Sequence, residues 1–200
     1  MDFGFSINVE KFIVDPQIGT NIDQLKNFSP QIAFICVPTP MDDDGSQDSS
    51  IIESVVSELI QKCPDVTKVI KSTVVPNVLD RLHDLDNKII YNPEFLREKH
   101  ADDDFVNSKN IIIAGDKEGA EKVSLAYLNH SICKTKSHYF TDIKTASLVK
   151  FTINTFLATK VIFFNEMFEL LKKNTPEANW PEFINLIKND ERIGSSHMDV

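Results

Sequence analysis

Residues 32–40 read Ile-Ala-Phe-Ile-Cys-Val-Pro-Thr-Pro: a continuous apolar run closed by two prolines. A strand with one face in water alternates apolar and polar residues. An unbroken run bounded by turn residues instead marks a strand covered on both faces, which points to a parallel sheet. Working outward, Asp48-Ser49-Ser50 supplies a helix N-cap, and Ile51, Ile52, Val55, Val56, Leu59 and Ile60 follow at helical spacing up to Pro64. Residues 66–71 form the next strand, and Pro76 opens a short helix over Val78, Leu79 and Leu82. Further strands are expected at 89–91 and 111–114, with a helix from about Glu118 to Asn129. On the amino-terminal side, Lys11 to Val14 reads as a strand stopped by Asp15-Pro16. Strands alternating with helices in this way predict an α/β fold with a doubly wound parallel sheet. Ligands of such sheets sit beyond the carboxyl ends of the strands, here after Val37, Lys71 and Tyr91.

From Asp142 to Asn174 there is no Gly or Pro, and apolar side chains fall on several sides of one long helix. Such a helix needs more than one neighbour. A connector between domains, or an element shared by two subunits, meets that need. A shorter helix at 180–190 follows Pro176. The expected division is therefore 1–141, an α/β unit, and 142–200, the long helix with the short one after it.

The chain has 200 residues, with 21 Lys and Arg against 30 Asp and Glu and a formal charge of -9. That balance argues against a nucleic-acid partner, because phosphate neutralisation needs clustered cations. No apolar stretch reaches roughly 18 residues, so no segment is expected to span a bilayer, and the first residues lack a basic-then-apolar signal; no membrane partner and a cytoplasmic location are expected. Cys36, Cys63 and Cys133 contain no CxxC pair, so neither a disulfide scaffold nor a zinc ribbon is expected. Their expected places are strand core, helix end and loop. Asp42-Asp43-Asp44-Gly45 has an EF-hand flavour, but with Gly45 as the sixth loop residue the twelfth is Ile51 rather than Glu, and no metal is expected. It and Asp102-Asp103-Asp104 read as solvated turns.

Three polar groups deserve a chemical reading. Glu94 and Glu98 are four residues apart and share a face if their segment is helical, which suits general acid and base work; a salt-bridged surface turn has the same spacing. Lys150, Asn154 and Asn165 make a polar stripe on the long helix. The lysine either meets a partner or ligand anion or reaches out to solvent. Lys71-Ser72-Thr73 ends a strand in hydroxyls at a ligand crevice, where turn capping is the simpler role.

Five blocks then occur in order: Phe34-Ile-Cys-Val-Pro-Thr-Pro40 with Asp44, Gly45 and Asp48; Lys71-Ser-Thr-Val74; Asn92-Pro-Glu-Phe-Leu-Arg-Glu98 with Ala101 and Asp104; Leu148-Val-Lys150 through Asn154, Phe156-Leu-Ala158 and Asn165-Glu166; and Arg192-Ile-Gly194 with Ser196-His197. Together they resemble the UDP-glucose/GDP-mannose dehydrogenase family, and its UDP-glucose branch in particular, over about residues 11 to 200. The resemblance implies a partial Rossmann-like sheet followed by the family's long central helix, which begins its dimerisation domain. It implies NAD as cofactor, a UDP-sugar as substrate and a homodimer formed through that helix. It further implies two-step oxidation of the sugar C6 hydroxyl to a carboxylate through a cysteine-bound thiohemiacetal and thioester. On this resemblance Glu94 positions or activates the hydrolytic water with support from Glu98, while Lys150 and Asn154 stabilise the oxyanion and bind substrate. Backbone groups at Phe95 and Leu96 hold the sugar, and Thr73 lies near the nicotinamide and reactive carbon. Val37, Pro38, Thr39 and Ser72 line the cofactor crevice, and Asp15 takes the adenosine ribose hydroxyls.

Two departures from the family pattern stand out. The six glycines contain no GxG for a pyrophosphate turn. No cysteine falls at the position of the family's nucleophile, which follows a later glycine-rich segment. The chain alone is therefore expected to be catalytically inactive. A non-catalytic interaction protein, or another sugar-nucleotide dehydrogenase, is the competing expectation.

Overall fold

The computed structural model describes residues 4–5, 8–97 and 100–198. Five strands, β1 (Ile32–Ile35), β2 (Thr67–Ile70), β3 (Ile90–Tyr91), β4 (Ile111–Ala114) and β5 (His138–Thr141), form one sheet in chain order. β1–β2, β2–β3 and β4–β5 are parallel, and the β3–β4 step, made at Tyr91 and Ala114, is antiparallel. Each parallel step crosses over through a helix, as parallel neighbours require. These are α2 (Ser50–Lys62) and α3 (Pro76–Leu85), and then α5 (Lys117–His130). Two short helices, α1 (Leu25–Phe28) and α4 (Ala101–Val106), lie in the connections before β1 and β4. The sheet is thus mostly parallel and Rossmann-like.

The side-chain period of two explains the unbroken apolar runs. Ala33, Ile35, Ile70 and Tyr91 face one core, where α2 contributes Ile52, Val56 and Leu59 and α3 contributes Val78, Leu79 and Leu82. Phe34, Val69, Ile90 and Ile113 face the other, covered by Ala120, Val123 and Tyr127 of α5. Helices therefore cover both faces, and neither needs polar side chains. Gly115 lets the chain leave β4 at φ 140° with Ile89 O only 2.8 Å from where a Cβ would stand, and Gly119 sits equally close to Ile90.

The structure corrects several expectations. Lys11 to Val14 is outside the sheet: it has strand composition but no ladder partner among the described residues, and Ile13 is exposed. Asp15 caps a 3-10 turn, Pro16–Ile18, with its carboxylate accepting from Gln17 N at 2.8 Å. Asp102, Asp103 and Asp104 are not a turn but the first turn of α4, where carboxylates favour the helix dipole. Cys36 is not strand core; it lies just past β1 and is exposed, while Cys63 and Cys133 are buried at a helix end and in a loop.

The long helix is α6 (Ile143–Asn174), and α7 (Trp180–Lys188) follows it. Counting only uninterrupted apolar runs missed one property of α6: by length and composition it is long and apolar enough to cross a membrane, a test that core helices of soluble proteins also pass. The chain divides into two compact units, Met1–Lys150 and Phe151–Val200. Within the second, Phe164, Ile184 and Met198 form a small core with Trp180 and Phe183. Lys160, itself buried, donates to Ile193 O and Gly194 O at 3.0 Å each and so ties the last described segment to α6.

Candidate active site

The site lies in the first unit, at the carboxyl ends of β1, β2 and β3. Lys71 follows β2 on the face of Val69, under α5, and is 6% exposed. Its ammonium donates to Asn92 O and to Asn92 Oδ1, each at 3.1 Å. Asn92, 1% exposed, is held in turn by its N–H on Ile70 O (2.9 Å), by Nδ2 on Ile112 O (2.6 Å) and by the Tyr127 hydroxyl donating to Oδ1 (2.7 Å). Burial pulls the Lys71 ammonium below the usual lysine range, opposed by the negative charge of Glu94. Burial pushes the Tyr127 hydroxyl far up, so it stays a donor.

Glu94 follows two residues later on a segment with no regular structure. Residues 92–97 are not helical, and Glu98, with the shared face expected of the pair, lies outside the described residues. Glu94 Oε2 is 3.7 Å from Lys71 Nζ and is buried with no hydrogen-bond partner. Lys150, near the start of α6, donates to the Glu94 backbone carbonyl and places its ammonium 5.1 Å from the centre of the Phe95 ring. Burial lowers the Lys150 ammonium too, again opposed by Glu94. Of the two open sequence readings for Lys150, the structure realises the partnered one. Arg97 anchors the segment's far end on Asp104, with its NH2 group 2.7 Å from Oδ1, and the paired guanidinium holds that carboxyl down at about 2.

The loops after β1 and β2 are tied together. Ser72 Oγ donates to Val37 O (2.6 Å), Thr39 Oγ1 to Thr73 O (2.9 Å) and Gln47 Nε2 to the same carbonyl (2.9 Å), while Gln47 Oε1 accepts from Val75 N (3.0 Å). The Ser72 and Thr39 hydroxyls thus cap backbone, and Pro38 is exposed. Phe95 and Leu96 are half-buried. Asn154 is exposed on α6 and belongs to the second unit.

Residues 16–131 match the family model of the UDP-glucose/GDP-mannose dehydrogenase NAD binding domain, and residues 144–200 match the central domain of the same family. The chain belongs to this family. A UDP-glucose 6-dehydrogenase of Rickettsia felis is 32% identical over 190 residues, which cover 90% of this chain and 42% of that protein. A UDP-glucose dehydrogenase structure from Pyrobaculum islandicum aligns with a TM-score of 0.75 at 26% identity, over 88% of this chain and 42% of that one. A ternary complex of GDP-mannose dehydrogenase from Pseudomonas aeruginosa aligns at 0.74 and 25% identity, over 92% and 46%. This chain therefore spans less than half of each.

NAD is the cofactor of this family's domain, and the residues present can be tested against it. The tied loops with Val37, Pro38, Thr39, Ser72 and Thr73 fit a crevice wall. The buried Glu94 Oε2, which has no hydrogen-bond partner, is a polar atom that a bound group could meet. A pyrophosphate cradle is different: the glycines stand singly, and Gly115 and Gly119 serve strand and helix packing against Ile89 and Ile90. The described residues thus fit the wall of the dinucleotide site but not its phosphate cradle.

Sequence reasoning missed Asn92, Tyr127 and Gln47 as site residues, and treated Lys71 only as part of a block. The available signal was parity: Lys71 is two residues beyond Val69, and Asn92 two beyond Ile90, so both fall on the α5 face with Tyr127.

Proposed function

We propose that this chain carries part of the active site of an NAD-dependent nucleotide-sugar dehydrogenase that oxidises C6 of UDP-glucose to the carboxylate in two steps. The observation that carries this reading is Glu94 Oε2: a buried carboxylate oxygen without a hydrogen bond, flanked by two lysines, at the ligand edge of a family NAD-binding domain. Such an oxygen has a lone pair open for the proton of an attacking water. Lys150 fixes the Glu94 backbone in the resting site, and its ammonium is the charge that stabilises a developing oxyanion. Asn154, one turn further along α6, is the second donor in this reading. Phe95 and Leu96 present backbone groups to the sugar, and Thr73 stands nearest the reacting carbon. Asp15, now a turn cap, keeps one carboxylate oxygen for a ribose hydroxyl. Bound NAD would supply the hydride acceptor. UDP-glucose is favoured over related sugars by the Phe95-Leu96-Arg97 wording and by the named relatives. A cytoplasmic location goes with this reading.

The nucleophilic thiol is not one of the chain's three cysteines. Cys63 and Cys133 are buried. The Cys36 thiol is pushed up to about 11, by desolvation first, with Lys71 opposing and Glu94 adding to the rise. Because the residue is exposed, that desolvation is partial, but the direction leaves a protonated thiol at neutral pH. The purified 200-residue chain is therefore expected to form no NADH from UDP-glucose and NAD. Steady UDP-glucose-dependent absorbance growth would overturn this.

A second reading, as a dimerisation or interaction protein, is favoured by α6 itself. Phe156, Phe163 and Leu170 recur every seven residues and are 65%, 54% and 52% exposed. Self-association through this stripe belongs to both readings. Sedimentation decides it: a clean monomer, alone and with an intact relative, removes the interaction reading.

A further inference from the structure

We propose that Lys71 is the positioning residue of this site, its ammonium fixed by Asn92 so that it holds the Glu94 carboxylate by charge and not by a direct hydrogen bond. The proposal rests on the reading of Glu94 as the proton acceptor and says what keeps that acceptor in place.

An ammonium as buried as Lys71 is costly unless its surroundings compensate it. Two of its contacts are to neutral acceptors, Asn92 O and Oδ1. Asn92 cannot turn away, because Ile70 O and Ile112 O hold its two N–H groups and the Tyr127 hydroxyl donates to the same Oδ1. Strands β2 and β4 and helix α5 therefore jointly fix where the Lys71 charge sits.

Glu94 meets its two lysines in different ways. Lys150 takes the backbone carbonyl and covers Phe95. Lys71 faces the carboxylate at 3.7 Å, within ion-pair reach but beyond a good hydrogen bond. A hydrogen bond to Oε2 would favour the charged carboxylate while occupying the lone pair needed for a proton. A charge at this longer distance compensates the carboxylate and leaves the lone pair open.

Cys36 is a built-in reporter of this charge pair. It is exposed at the end of β1, and Lys71 and Glu94 act on its thiol in opposite senses. The experiment is the pH profile of Cys36 alkylation by iodoacetamide in the intact folded chain, followed by peptide mass spectrometry so that buried Cys63 and Cys133 are separated. Lys71→Met should move the profile to higher pH and slow the reaction several-fold at mildly alkaline pH. Glu94→Gln should move it to lower pH and speed the reaction several-fold. In the Lys71→Met background Glu94→Gln should displace the profile much less than it does in the parent, because the carboxylate is no longer held. Additive displacements in the two single variants and the double variant would mean that the carboxylate sits in place without Lys71, and that result overturns the proposal. If Lys71→Met does not fold, the half-buried Glu94 carries the test: an unchanged profile in Glu94→Gln shows that the carboxylate is not held within reach and overturns it equally. The readout needs no cofactor or substrate, so the dehydrogenase reading can fail on NAD binding while this result stands.

Discussion

The two units use buried lysines for different ends. In Met1–Lys150, Lys71 and Lys150 converge on one segment between helix-covered strands, and a carboxylate oxygen is left open between them. In Phe151–Val200, Lys160 clamps two backbone carbonyls and lies over the Phe164 ring, while large apolar side chains of α6 are exposed. The first arrangement is closed by its own core. The second has a small core and leaves large apolar side chains of α6 exposed. Polar groups in the first unit should therefore be costly to remove one at a time, and those in the second much less so.

The largest expected effect is in the first unit. Asn92→Leu removes the buried Oδ1 acceptor that the Lys71 ammonium and the Tyr127 hydroxyl share, and taking one hydrogen bond from each of two buried groups costs about 3 kcal/mol. Urea unfolding measures it, and a loss below about 1 kcal/mol would erase the contrast. Lys160→Met comes next. Its two carbonyl acceptors are exposed and can turn to water, so a local loss of about 1–2 kcal/mol is expected. Faster amide exchange confined to residues 193–198 should accompany it; global destabilisation would mean that Lys160 supports more than this segment.

Phe163→Glu sharpens the other half of the comparison. Because the side chain is 54% exposed, the unfolding free energy should stay within about 0.5 kcal/mol of the parent. The sedimentation coefficient should nevertheless fall if the stripe holds two copies together. The smallest effect is the pH dependence from His138. Its Nδ1 lies 2.7 Å from Ser124 Oγ, its Nε2 is buried without a partner, and burial with help from Lys136 lowers it below 6.5. A lowered histidine contributes stability that is fully present above its unfolded value and is lost as pH falls through the folded one. Unfolding midpoints should therefore drop as the pH is lowered from about 6.5, and His138→Gln should flatten that slope.

Much of this was legible in the sequence because the sheet is covered on both faces. Continuous runs such as 32–37 and 111–114 exclude an exposed face, and capping and proline signals placed α2, α3 and α7 within a residue or two. β5 escaped because His138–Thr141 lies at the sheet edge with Tyr139 and Phe140 exposed, so it never reads as a buried run. α4 escaped because three aspartates suggest a turn even though they suit a helix start. Lys11 to Val14 shows the reverse error: strand composition makes a strand only where a partner exists. Glu94 and Lys150 could be singled out by spacing and resemblance. The Lys71–Asn92–Tyr127 network was half legible: parity puts Lys71 and Asn92 on one face, but only the packing of α5 on β2 and β3 brings Tyr127 to them.

The central claim is that the carboxyl ends of β1 to β3 form a working wall of a dinucleotide site in this chain. Calorimetric titration of the purified 200-residue chain with NAD tests it most directly. The account predicts saturable binding, weakened in the Thr73→Tyr variant, whose ring would fill the crevice. No saturable heat up to millimolar NAD would contradict it and would leave the tied loops around Pro38 and Thr73 as scaffold.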